Sequence, residues 1–145
     1  MKWLLLLVLV GCKPIVYSNA KSYGVKADFS IYINKFNSEL AMDGYRNVDL
    51  SYITFYKASE SIDHMYDGIC SKGADGYKVS VVTDDVTVFD YRTYFIVIHE
   101  LGHCSYNLNH IDGPGIMNSN NNIGLDFSVL ENRLKLINQM LNGGI

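Results

Sequence analysis

The sequence predicts a single α+β domain, because stretches with helical periodicity and stretches with strand-like alternation both occur along it. The chain has 145 residues, a length typical of one domain. Its apolar fraction of 48% and charged fraction of 19% are those of a globular protein. The predicted order is helix, strand, strand, helix, long loop and helix, with the strands forming a short twisted sheet.

The first predicted helix covers residues 28–42. Apolar side chains recur there at spacings of four, three and four residues, which places them on one helical face: Phe29, Ile33, Phe36 and Leu40. Asp28 or Ser30 could cap the start of this helix, and Asp43 with Gly44 is predicted to end it.

Two strands are predicted in the middle of the chain, at residues 48–56 and 77–83, because apolar and polar side chains alternate there. The intervening residues 59–76 are predicted to be irregular. Gly68, Gly73 and the Asp75-Gly76 pair are typical turn signals within them.

The second half of the chain predicts two more helices. Residues 91–106 follow Asp90, a suitable N-cap, and residues 94–98 are apolar on every side, which indicates a buried helix. Residues 107–124 are rich in asparagine and glycine and are predicted to be mostly loop. Residues 127–141 have one apolar face and form a predicted C-terminal helix capped by Asp126.

The N-terminal residues predict export. Residues 4–10 form an apolar run that is too short to span a bilayer as a mature helix but suits the core of a signal peptide. Residues 9–12, Leu-Val-Gly-Cys, resemble the bacterial lipobox, in which cleavage precedes a cysteine that then carries lipid. The alternative is an N-terminal strand or helix with an incidental cysteine.

The lipobox resemblance implies three segments. These are a signal peptide at residues 1–11, a lipidated Cys12 with a tether over residues 12–25, and a folded domain at residues 26–145. Acyl chains on Cys12 would anchor the protein to a membrane of the bacterial cell envelope. Lys13 follows the cysteine where inner-membrane retention uses Asp, so the outer membrane is favoured over the inner one.

Export changes the interpretation of the other two cysteines, Cys70 and Cys104. Two cysteines in an oxidising compartment can form a disulfide, and this one would tie the strand region to the helix over residues 91–106. The alternative is two buried free thiols.

A zinc-binding pattern lies on that helix, where residues 99–103 read His-Glu-Leu-Gly-His. His99 and His103 are four residues apart, so their side chains lie on one helical face and can bind the same Zn²⁺. Glu100 is placed to reach a zinc-bound water and act as general base. His110 is the natural third ligand; Asn109 and Asp112 are weaker alternatives.

HExxH followed by a turn and a third histidine resembles the metzincins, a clan of zinc endopeptidases. The third histidine of metzincins usually lies at the position of Asn109, after a glycine at the position of Tyr106. Asparagine tolerates positive φ, so a turn with Asn107 or Asn109 and one extra residue could deliver His110 instead. HELGHC with a later histidine also resembles small bacterial and phage-encoded lipoprotein peptidases.

A second segment extends the resemblance. Residues 113–118 are similar to the metzincin Met-turn, which implies that Met117 forms an apolar floor beneath the zinc. Some metzincins have an oxyanion-stabilising tyrosine two residues later, where this chain has Ser119; Tyr106 is the nearest substitute. The resemblance therefore implies a small metzincin-like domain with a buried active-site helix and a C-terminal helix.

These features predict a lipid-anchored, exported zinc metallopeptidase that acts on a protein or peptide substrate. The strand at residues 77–83 is expected to be an edge strand that holds the substrate in extended form. A net charge of −3 and the absence of a basic run give no reason to expect nucleic acid, and a monomer is expected. The alternatives are a binding protein on a zincin scaffold with structural or lost zinc, and a zinc amidase that acts on cell-wall peptides.

Overall fold

The computed structural model describes residues 24–42, 44–47, 49–60, 62, 67–110 and 116–117. The predicted signal peptide, Cys12, most of the predicted tether and the helix predicted over residues 127–141 lie outside the described residues. Among the residues described, no helix is long and apolar enough to cross a membrane.

The described part of the chain is α+β, with two helices and a four-stranded mixed sheet. In chain order the elements are β1 (Val25–Lys26), α1 (Ser30–Met42), β2 (Ile53–Ala58), β3 (Gly68–Gly73), β4 (Gly76–Val82) and α2 (Tyr91–Tyr106). The strand order in the sheet is β1-β2-β4-β3. β2 and β4 are parallel, whereas β1 and β3 are antiparallel to their neighbours.

Both helices within this region agree with the sequence prediction. α2 has the predicted bounds, and the Asp90 side chain accepts a hydrogen bond from the Thr93 amide at 3.0 Å, as an N-cap should. At the start of α1, the Asp28 side chain accepts from the Ser30 amide at 2.8 Å. The buried face of α1 includes Tyr32 rather than the predicted Ile33, which is only partly buried.

The strands agree less well. β2 begins at Ile53, five residues later than predicted, and β4 lies within one residue of its predicted bounds. β3 was not predicted, because its glycine-flanked sequence carries turn signals and few β-branched residues. The turn from β3 to β4 needs a glycine at Gly76, where φ is +114° and a Cβ would lie 2.5 Å from the Tyr52 carbonyl oxygen.

The extra strand changes which edge of the sheet is open. β4 pairs with β2 on one side and with β3 on the other. The expectation that residues 77–83 form an edge strand is therefore wrong. Among the described strands, the edges are β1 and β3, and β3 is the edge that lies against α2.

The core lies between the sheet and the helices. α2 is buried along almost its whole length, including all five residues of the apolar run at 94–98. It packs against β3 and β4, and the Cys70–Cys104 pair, with Cα atoms 5.8 Å apart, ties it to β3. The sequence predicted this disulfide. An apolar run on every side explains why this helix is buried, and the disulfide holds the Cys104 face of α2 against β3.

Candidate metal centre

Two histidines of the cluster come from one face of α2. His99 and His103 are one helical turn apart, and their Nε2 atoms are 3.2 Å from each other. His99 is buried, while His103 is partly exposed. The helix thus sets the first two members of the cluster without help from any other element.

The third histidine is delivered by a turn directly after α2. Asn107 has φ 53° and ψ 35°, a left-handed conformation, and the Leu108 amide donates to the Gly102 carbonyl at 3.0 Å. This turn returns the chain to the helix, so that His110 Nε2 lies 3.2 Å from His99 Nε2 and 3.1 Å from His103 Nε2. The predicted asparagine-based turn is therefore observed, with Asn107 at the left-handed position.

Backbone carbonyls orient the first two rings. His99 Nδ1 lies 2.6 Å from the Ile116 carbonyl oxygen, and His103 Nδ1 lies 2.7 Å from the Leu108 carbonyl oxygen. A carbonyl oxygen only accepts, so each Nδ1 carries a hydrogen and donates it. In a neutral ring this leaves a lone pair on Nε2. Both lone pairs consequently point into the space shared with His110.

Burial keeps these rings neutral. It lowers the pKa of His99 to about 4, an effect that the hydrogen bond to Ile116 only partly opposes. Burial also lowers the pKa of His103 and of His110. Neutral imidazole is the form that binds metal ions.

The arrangement of nitrogen atoms could hold a metal ion. One shared proton can bridge only a single pair of nitrogens, whereas a cation can accept lone pairs from all three at once. His99, His103 and His110 offer ligand atoms that all lie within 4.8 Å of one another. The sequence predicted this grouping, and the structure brings the three histidines together.

Glu100 lies on the sheet side of α2, next to His99 in sequence. It is 5% exposed, and the Cys70 backbone N–H of β3 donates a hydrogen bond to its carboxylate. Burial raises the pKa of Glu100 to about 8, while the Cys70 hydrogen bond acts in the opposite direction. A cation nearby would favour the ionised form.

Met117, which the resemblance assigns to the Met-turn, is a buried residue of the core. It is 3% exposed, and it follows Ile116, whose carbonyl accepts from His99. These are the only described residues of the Met-turn-like segment. Asp112, Ser119 and Cys12 lie outside the described residues, and Asn109 is exposed. Tyr106 is partly buried, and burial raises its pKa.

Sequence reasoning missed the groups that orient the site. The carbonyls of Leu108 and Ile116 carry no side-chain signal, although Leu108 lies in the predicted turn. Gly68 was interpreted as a turn residue, but it lies in β3 directly against Glu100. A glycine in a strand often marks a close approach, and that signal could have identified it.

Comparisons of the chain with protein-family models, with curated proteins and with solved structures found no match. The fold and the site together define an α+β protein with a three-histidine cluster that could hold a metal ion. Any more specific class has to be argued from the site itself.

Proposed function

We propose that this protein is a zinc-dependent, metzincin-like peptidase, exported and anchored by lipid. The observation that carries the proposal is the convergence of three histidine Nε2 atoms, which lie 3.1–3.2 Å apart. Two of these histidines lie on α2, the helix that also holds the buried Glu100. Its other supports are the HELGHC motif, the Met-turn-like segment with the buried Met117, and the signal-like residues 1–11.

The donor set fits zinc. A tetrahedral ion with Zn–N bonds of about 2.0–2.1 Å places its nitrogen ligands roughly 3.3–3.4 Å apart, close to the separations in this cluster. Three protein ligands leave a fourth position for water or substrate, as catalytic zinc sites do. His110 is exposed, so the fourth position is expected to be open to solvent.

The chemistry is hydrolysis of a peptide bond. Zinc, when bound, supplies a Lewis acid that polarises the scissile carbonyl and lowers the pKa of water. Glu100 takes a proton from the water that adds to the carbonyl carbon. It then gives that proton to the amine nitrogen as the C–N bond breaks. A site with a purely structural zinc would not need a buried carboxylate at this position.

The substrate is expected to lie along β3. β3 is the described edge strand beside α2, and an extended peptide can add to such an edge through main-chain hydrogen bonds. The Cys70 amide on this strand already contacts Glu100. The outward Cys70 N–H is therefore not free for the substrate, and a peptide paired with the rest of this edge would pass close to Glu100.

The proposed location is the cell envelope. The signal-like residues 1–11 and Cys12 support export with a lipid anchor, and the Cys70–Cys104 disulfide is typical of an oxidising compartment. Labelling cells with a tagged fatty acid tests the anchor: the wild-type chain should take up label, and Cys12→Ser should not. Equal labelling of the two would contradict it.

The function is tested with purified full-length protein and a general protein substrate. Zinc content should be near one ion per chain, and Glu100→Gln should retain zinc while kcat falls by about 10²–10⁴-fold, the usual contribution of a general base. Glu60→Gln is the matched control, because Glu60 is an exposed glutamate outside the site.

Unchanged hydrolysis by Glu100→Gln would contradict the assigned base. A zinc-loaded wild type that cleaves no protein would contradict peptidase activity, and cell-wall peptides assayed in parallel would then decide for the amidase. Inactivity on both substrates would favour a binding protein on the same scaffold.

A further inference from the structure

We propose that Gly68 and the backbone amide of Cys70 form a seat in β3 for the Glu100 carboxyl group, which makes Gly68 a positioning residue for hydrolysis. The catalytic part of this inference rests on the proposed function. The seat itself is a structural claim that can be tested without any assay of activity.

The register of β3 shows why the Cys70 amide is available. The Val82 amide donates to the Asp67 carbonyl at 2.7 Å, which makes that opposed pair a hydrogen-bonded one. Such pairs alternate with non-hydrogen-bonded pairs in an antiparallel ladder. Cys70 opposes Val79, three positions further along the ladder, and so falls in a non-hydrogen-bonded pair. Its N–H points away from β4, toward the open edge, where Glu100 accepts it.

Gly68 provides the space that the carboxyl group occupies. It shares a face of β3 with Cys70, since alternate residues of a strand point to the same side, and that face lies against α2. A Cβ on Gly68 would lie 2.8 Å from Glu100 Oε1, 2.9 Å from Glu100 Cγ and 2.5 Å from Ile96 Cγ2. No side chain larger than hydrogen fits at position 68 unless Glu100 and Ile96 move.

Ile96 Cγ2 must give way at the closest contact, and the Glu100 side chain is expected to move further than Ile96. The Cys70–Cys104 disulfide, two residues along β3, prevents the strand from retreating from α2. The Ile96 side chain is packed in the core, whereas the Glu100 carboxyl is the end of a longer side chain. A buried carboxylate needs a hydrogen-bond donor, so its displacement from the Cys70 amide also removes the group that keeps it in place.

The first test compares Gly68→Ala with Ser71→Ala, a change in the same strand on the opposite face. Both proteins should bind zinc as the wild type does. We expect kcat of Gly68→Ala to fall by about 10²-fold with little change in KM, since a displacement near 1 Å can cost that much. Ser71→Ala should keep both values. A folded, zinc-loaded Gly68→Ala protein with wild-type kcat would overturn the proposal.

The second test measures hydrogen exchange of the Cys70 amide by NMR. In the wild type this outward amide should exchange at least about 10-fold more slowly than in Glu100→Ala, because the carboxylate protects it. Gly68→Ala should lose the same protection. Equal exchange in wild type and Glu100→Ala would refute the seat, even if Gly68→Ala failed to fold.

The two tests separate this inference from the proposed function. If the wild type proves inactive, peptidase activity fails, but slow exchange that depends on Glu100 still establishes the seat. If hydrolysis depends on Glu100 while exchange does not, the function stands and the seat fails.

Discussion

The two sides of α2 hold the site in different ways. On the sheet side, Glu100 lies against Gly68 and accepts from the Cys70 amide, while Cys104 is linked to Cys70. Every contact there comes from regular secondary structure or from a covalent bond. The position of Glu100, the proposed general base, is therefore expected to be set as soon as the chain folds and oxidises.

On the adjacent face of α2, the histidines depend on segments that follow the helix. The Leu108 and Ile116 carbonyls orient His103 and His99, and the third nitrogen comes from the exposed His110. A bound metal would join these segments to α2, and its binding free energy would add to the stability of the fold. Glu100 and the three histidines can therefore be perturbed separately.

Removal of the disulfide should give the largest loss of stability. The bridge closes a loop with a sequence separation of 34 residues. We expect the Cys70→Ala/Cys104→Ala protein to lose about 2–5 kcal/mol of unfolding free energy, measured by urea denaturation with zinc present. Zinc affinity should change by less than about 10-fold. Loss of a group that orients a metal ligand usually weakens binding by at least that much. A larger loss of affinity would show that the two sides are coupled.

Removal of the third histidine should act on the histidine face of α2. His110→Ala is expected to weaken zinc binding by more than about 100-fold, beyond the 10–100-fold usual for loss of a group that only orients a ligand. The neighbouring variant Asn109→Ala is the control and should bind zinc as the wild type does. Competition with a chelating dye measures both affinities. The reverse order would reassign the third ligand to Asn109.

Elements of the fold that are set by local signals were predictable from the sequence, and those set by tertiary contacts were not. α2 was predicted with its bounds because its cap and its apolar run are local signals. β3 was missed because its pairing with β4 is a tertiary contact and its sequence carries turn signals. The error passed to β4, which was assigned to the edge of the sheet although β3 covers it.

The site shows a similar pattern. The grouping of His99, His103 and His110 followed from helical spacing and from the conformational freedom of asparagine, both of which are local properties. The seat of Glu100 could not be predicted in this way. It depends on the absence of a side chain at Gly68, 32 positions earlier in the chain, and on which amide of β3 faces outward. Only the register of the sheet determines that amide.

A substitution at Asn107 should have the smallest and most local effect on the histidine face of α2. Its φ of 53° is left-handed, which asparagine and glycine tolerate and β-branched residues do not. Asn107→Val should cost about 1–2 kcal/mol of unfolding free energy, measured by urea denaturation without metal. Asn107→Gly is the matched control and should be as stable as the wild type to within about 1 kcal/mol.

The Asn107 variants should also separate the two sides of α2. The turn carries the Leu108 carbonyl that orients His103 and leads to His110, so Asn107→Val should weaken zinc binding by about 10-fold. Slow exchange of the Cys70 amide should persist in both variants, because the seat of Glu100 lies in β3, away from the turn at Asn107. Faster exchange in Asn107→Val alone would mean that strain at the helix end reaches Glu100, and that the two faces do not act independently.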